Sequence, residues 1–83
     1  MNVRIHPHAA QRLRERGASV SEVRQTVLTG RSKPAKYGRT RFTQTFSFNA
    51  VWNGTRYARK IIEAFAAKMT DGWMVVTIIV KYF

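Results

Sequence analysis

Arg39-Thr40-Arg41-Phe42-Thr43-Gln44-Thr45-Phe46-Ser47-Phe48-Asn49 is the stretch whose reading decides the fold. Thr40, Phe42, Gln44, Phe46 and Phe48 fall on one side of an extended chain, and Arg41, Thr43, Thr45 and Ser47 fall on the other. That alternation is the period of a half-buried strand. Downstream, Asn53-Gly54 is a tight-turn dipeptide, and a second strand is expected from about Thr55 to Lys68. Thr70-Asp71-Gly72 makes the next turn. Trp73 to Tyr82 is rich in β-branched residues and apolar on both faces, which predicts a central or covered strand.

Upstream of Arg39 the period is helical. Val3 to Ile5 reads as a short extended segment, and Pro7 suits the first turn of a helix that runs to Arg16 and stops at Gly17. Ala9, Ala10 and Leu13 give that helix a narrow apolar stripe. Ser19-Val20-Ser21-Glu22 is a capping-box sequence. The helix after it carries Val20, Val23, Val27 and Leu28 at helical spacing and ends at Gly30. Arg31 to Gly38 reads as a basic loop containing Pro and Gly. The expectation is one α+β domain over residues 1–83. Two N-terminal helices cover one face of a curled, meandering antiparallel sheet of three strands, or four with the opening segment. The other face is left open and should carry the basic residues.

Charge bounds the partners. Fifteen Lys and Arg stand against four acids, a net charge of +11 with a pI near 11.5. So much like charge on a small body calls for a polyanion: nucleic acid, an acidic protein or an anionic membrane surface. Arg suits bidentate phosphate recognition. No apolar run approaches the roughly 20 residues of a membrane span. The opening residues show no charged leader followed by an apolar block, so a cytoplasmic protein with no membrane association is expected. The chain has no cysteine, which removes disulfides and thiolate metal ligands.

His8-Ala9-x-x-Arg12-x-x-Glu15-Arg16-Gly17 resembles the HAxxRxxERG opening of a small domain family of unknown function. Ser19 to Val23 matches that family's SxxEV, Gly30 its glycine after the second helix, and Val75-Val76-Thr77-Ile78-Ile79 its final strand. The family in turn resembles the RelE- and BrnT-type toxins of bacterial toxin–antitoxin systems. This resemblance implies a RelE-like architecture and RNA cleavage without metal or other cofactor, or gyrase inhibition in some relatives. It also implies a cognate acidic antitoxin.

Such cleavage needs a base for the 2′-hydroxyl, cations for the charge at phosphorus and an acid for the leaving oxygen. His8 is the first candidate base, because imidazole titrates nearest neutral pH; a packing or loop-bonding role is the alternative. His6 is a weaker second. His8, Arg12 and Arg16 follow at four-residue steps along one side of the first helix. Against that, Arg12 can pair with Glu15 and Arg16 can cap the helix end. On the strands, Lys60 and Tyr82 are catalytic candidates; Lys60 shares a face with Ile62 and Ala64, so it is not a purely solvated charge. Arg16, Lys33, Lys36, Tyr37, Arg39, Arg41, Arg56, Arg59 and Lys81 are candidates for RNA binding, with simple solvation the alternative for each cation. Tyr37 and Trp52 sit at turns, where an aromatic ring either stacks on unpaired bases or packs back on the core. Phe42, Phe46, Phe48 and Trp73 are read as core. The leading functional expectation is an endoribonuclease toxin acting on mRNA. A non-enzymatic module that binds nucleic acid or an acidic protein is the alternative, as is a gyrase-directed toxin.

Overall fold

The change of period at Arg39 marks the boundary between a helical half and a long β-meander. A computed structural model describes residues 2–83, with β1 at Asn2–Ile5, α1 at Pro7–Arg16, α2 at Val20–Thr29 and β2 at Arg31–Pro34. A 3-10 turn at Lys36–Gly38 leads into β3 (Thr40–Trp52), β4 (Thr55–Met69) and β5 (Gly72–Tyr82). The strands form one open sheet in the order β1-β5-β4-β3-β2.

The meander of three long strands stands where the alternation put it. The strand count does not: the sheet has five strands and is mixed. The opening segment pairs parallel with β5, Val3 beside Trp73 and Ile5 beside Val75, and thereby makes β5 an interior strand. The residues read as a basic loop include β2, whose four residues pair antiparallel with Thr40–Thr43. A run of Arg, Ser, Lys and Pro has little β-propensity, and here the neighbouring edge of β3 supplies the pairing that the side chains do not. At the hairpin tip, Asn53 and Gly54 both have positive φ (49° and 84°), as a two-residue turn of the I′ kind needs.

Both helices lie on one face. Ala9 and Leu13 of α1, and Val23 and Val27 of α2, join Val3, Phe42, Ile62, Ala64, Ala66, Val75 and Ile78 in a single core, with Phe46 and Trp73 packed against it. Thr26 is buried in this layer with its hydroxyl donating to the Glu22 carbonyl (2.8 Å), whereas Val20 and Leu28, placed in the apolar stripe by spacing, are exposed. Phe48 is half-buried, outside the core proper. Among the described residues no helix is long and apolar enough to cross a membrane.

Local signals fix the helix ends. His6 caps α1, its Nδ1 accepting the His8 N–H at 3.1 Å. Gly17 ends α1 in the left-handed region (φ 78°), and a side chain there would meet Trp52 and Tyr82 atoms at 2.6 Å. Ser19 and Glu22 form the capping box of α2, with bonds of 3.0 and 3.1 Å.

The turn between the helices is pinned to the sheet by Lys60. Its ammonium donates to the Gly17 carbonyl (3.0 Å) and to Glu22 Oε1 (2.9 Å), and lies 5.3 Å from the centre of the Phe48 ring. Beside it, the Tyr82 hydroxyl donates to the Arg16 carbonyl, one of the orphan acceptors at the end of α1. The Tyr82 ring stacks on Trp52 at 5.1 Å and meets Phe48 edge-on at 5.0 Å. Trp52, one of the two turn aromatics, therefore packs inward.

Two stability measurements follow. Glu22→Gln keeps a capping-box acceptor but leaves the Lys60 ammonium, only 6% exposed, without its counter-charge. A cost of about 2 kcal/mol is expected in denaturant melts, somewhat under the range for fully buried pairs because Glu22 is partly exposed. Burial, and secondarily the charge of Glu22, raise the Tyr82 hydroxyl pKa above its ordinary 10.0. The folded form thus holds this proton more tightly than the unfolded form, and the contribution is complete below pH 10 and disappears as pH rises past it toward the folded value. Tyr82→Phe is expected to flatten the loss of thermal stability above pH 10.

Candidate nucleic-acid interface

Strand alternation divides the long strands between two environments. In β4, Lys60, Ile62, Ala64 and Ala66 face the helices, so Arg59, Ile61, Glu63, Phe65 and Ala67 face away from them. Across the ladder, Arg41, Thr43 and Thr45 of β3 stand opposite Phe65, Glu63 and Ile61, and Lys81, Ile79 and Thr77 of β5 stand opposite Ile61, Glu63 and Phe65. On β2, Arg31 and Lys33 extend the same face beside Thr43 and Arg41.

Glu63 is at the centre of this open face. Arg41 on β3 and Lys81 on β5 each occupy one of its diagonal cross-strand positions, a separation long side chains can span. Both reach it: Arg41 Nη1 lies 3.5 Å from Glu63 Oε2, and Lys81 Nζ lies 3.5 Å from Oε1. The carboxylate is largely enclosed (side chain 11% exposed), while Arg41 (37%) and Lys81 (66%) keep much of their surface in solvent. An enclosed acceptor is thus flanked by two cations that stay partly open to solvent. Of the four acids, Glu22 belongs to the helix turn, Glu15 to the exposed side of α1, and Asp71 to the β4–β5 turn. There Asp71 accepts from Asn2 (2.8 Å) and Arg4 (3.0 Å), which hold its carboxyl below the ordinary range, the Asn2 bond contributing most.

Arg41 also borders two hollows. A depression of about 160 Å³ is lined by Arg31, Lys33, Arg41 and Thr43, three cations and a hydroxyl. A groove of about 450 Å³ runs between the sheet and the 3-10 turn, lined by Pro34, Tyr37, Arg39, Arg41, Phe65 and Thr77 among others. Comparison with protein-family models, with curated proteins and with solved structures finds no match to the chain.

The geometry of the fold brings together only part of the predicted set. Lys33, Arg41, Arg59 and Lys81 share the open face, and Lys36, Tyr37 and Arg39 stand at its rim on the 3-10 turn and the residue after it. The four residues read as catalytic lie elsewhere. His8 and Arg12 are on α1, in the helix layer on the far side of the sheet, His8 exposed and Arg12 half-buried. Lys60 and Tyr82 face that same layer and are occupied by Glu22, Gly17 and Arg16. Arg16 ends α1, and Arg56 donates to the Asn49 carbonyl (3.1 Å) near the hairpin tip. Neither Arg12 nor Glu15 takes part in an ion pair among the described residues. His6 is a helix cap.

Glu63 is the residue sequence reasoning missed. The signal was present: it has opposite parity to Lys60 and Ile62, and it is an acid in mid-strand of a very basic chain. If phosphates bind over Arg41, Arg41→Ala removes a single-strand contact and should lower the slope of log K against log salt by about 0.7 for a labelled single-stranded 12-mer. His8→Ala, in the helix layer, should leave both slope and affinity within error.

Proposed function

We propose that the chain is a metal-independent endoribonuclease toxin of the type II toxin–antitoxin kind, with a RelE-like architecture and its active centre at Glu63. The observation that carries this reading is the enclosed carboxylate at the middle of an open basic sheet, held between one guanidinium and one ammonium at 3.5 Å. The charge of +11 and the resemblance of the His8–Gly17 motif support it.

The residues fit the demands of transesterification. Glu63 accepts the proton of a ribose 2′-hydroxyl, and the freed oxygen attacks the adjacent phosphorus. Arg41 offers two parallel donors to the non-bridging oxygens, where negative charge builds up. As the bond from phosphorus to the 5′ oxygen breaks, Lys81 donates a proton to that oxygen. The products are a 2′,3′-cyclic phosphate and a free 5′-hydroxyl. This role moves the base from His8 to Glu63, and the cation and acid roles from Arg12, Lys60 and Tyr82 to Arg41 and Lys81. A cytoplasmic setting and an acidic antitoxin that covers the open face belong to the same reading.

Cleavage of a labelled mRNA fragment in EDTA, free and on translating ribosomes, tests it. Wild type should yield cyclic-phosphate ends. Glu63→Gln should lose about 10²- to 10⁴-fold in rate, the usual worth of one acid–base group. It should also bind a 2′-O-methyl strand at least as tightly as wild type, since a negative charge has left the face. RNA left intact by wild type in both settings contradicts the nuclease reading; binding without product then points to a module that only holds polyanions.

A further inference from the structure

We infer that the groove beneath the 3-10 turn is a base-binding subsite, in which an unpaired base of the bound strand stacks on Tyr37 next to the nucleotide whose phosphate lies at Arg41. The inference rests on the RNA reading above and adds where a base, as distinct from the phosphates, is held.

Tyr37 is the most exposed of the large hydrophobic side chains among the described residues, at 87%. It has no aromatic neighbour among the described residues, whereas the other turn aromatic, Trp52, is half-buried and stacks on Tyr82. Its backbone sits in the left-handed region (φ 63°, ψ 33°), which residues other than Gly, Asn and Asp seldom adopt. Gly38 beside it is also left-handed (φ 69°), and nothing stands within 4 Å of where its Cβ would be. The fold therefore holds a bulky ring in an unfavourable conformation, with only the Arg39 guanidinium against its face. Strain of this sort collects at binding sites.

The surroundings suit a nucleobase. Pro34, Ala35 and Phe65 give the groove apolar walls, and Thr77 adds a hydroxyl. The Arg39 guanidinium lies 5.9 Å from the centre of the Tyr37 ring, so a planar cation is already beside the stacking surface. Lys33, Lys36 and Arg41 complete a basic rim around an apolar floor. A flat apolar slot with cations at its edge matches a base joined to phosphates, whereas an acidic peptide would use the cations and leave the slot unfilled. Arg41 belongs both to this groove and to the Glu63 ion pair. A base in the slot and a phosphate at Glu63 are therefore parts of one nucleotide or of adjoining ones.

The test uses two labelled probes of equal length read by fluorescence anisotropy: a 2′-O-methyl uridine 12-mer, which has no 2′-hydroxyl to attack, and an abasic deoxyribose-phosphate 12-mer. Tyr37→Gly should weaken the uridine strand about tenfold, within the range for one stacked base, and leave the abasic strand within twofold of wild type. Its melting temperature should hold or rise, because glycine takes φ 63° without strain. Tyr37→Phe should bind both strands like wild type. Equal affinity of Tyr37→Gly and wild type for the uridine strand overturns the subsite, as does an equal loss on both strands. RNA cleavage assayed alongside keeps the two claims apart. A Tyr37-dependent loss of uridine-strand binding without cleavage retains the base subsite and removes the nuclease; undiminished affinity with cleavage does the reverse. Binding of polyglutamate but of neither strand overturns both.

Discussion

Glu63 sets the arrangement of the open face. With fifteen cations and four acids, the long basic side chains of this chain tend to spread apart into solvent. One carboxylate, enclosed in the middle strand of the meander, draws Arg41 from one neighbour and Lys81 from the other over the same patch of sheet. The attraction is modest, since both cations are well hydrated, and its effect lies in placement more than in stability. Two cations and an acceptor brought together over one sheet face are the groups that the proposed phosphate chemistry uses, and the remaining cations of that face lie around them. Arg31 and Lys33 extend the positive field along β2, and the 3-10 turn raises Tyr37 at the rim.

The placement depends on strand parity. Lys60 and Glu63 are three residues apart on one strand, yet one bonds the helix turn and the other lies on the opposite side of the sheet, enclosed between Arg41 and Lys81. Lys60 is consumed by structure: it joins the α1–α2 turn to β4 by bonding Gly17 and Glu22, and Tyr82 reinforces the same corner at Arg16. Two polar groups that look available for chemistry thus hold the helix layer in place. That layer buries the apolar side of the sheet and leaves the other side free.

The fold was legible where local chemistry and global packing agree. Alternation from Thr40 onward, the Asn53-Gly54 turn, Pro7 and Gly17 around α1, and the Ser19–Glu22 box each act within a few residues, and each stands where expected. The two edge strands were harder. Residues 31–34 have no strand-forming character of their own and are extended because β3 offers an edge. The parallel pairing of Asn2–Ile5 with β5 joins residues about seventy positions apart. The site was harder again. Sequence spacing aligns His8, Arg12 and Arg16 on one helix, but it does not say which side of the sheet that helix covers. His8, Arg12, Lys60 and Tyr82 share the helix side, whereas Glu63, of opposite parity to Lys60, lies on the open side.

Backbone amide shifts of the Glu63→Gln protein during titration with a 2′-O-methyl 12-mer test the central claim most directly. The account predicts that the largest changes cluster at Arg41, Thr43, Ile61, residue 63, Thr77 and Lys81, with α1 from His8 to Arg16 unmoved. Changes concentrated on α1, with the open sheet face silent, would contradict it.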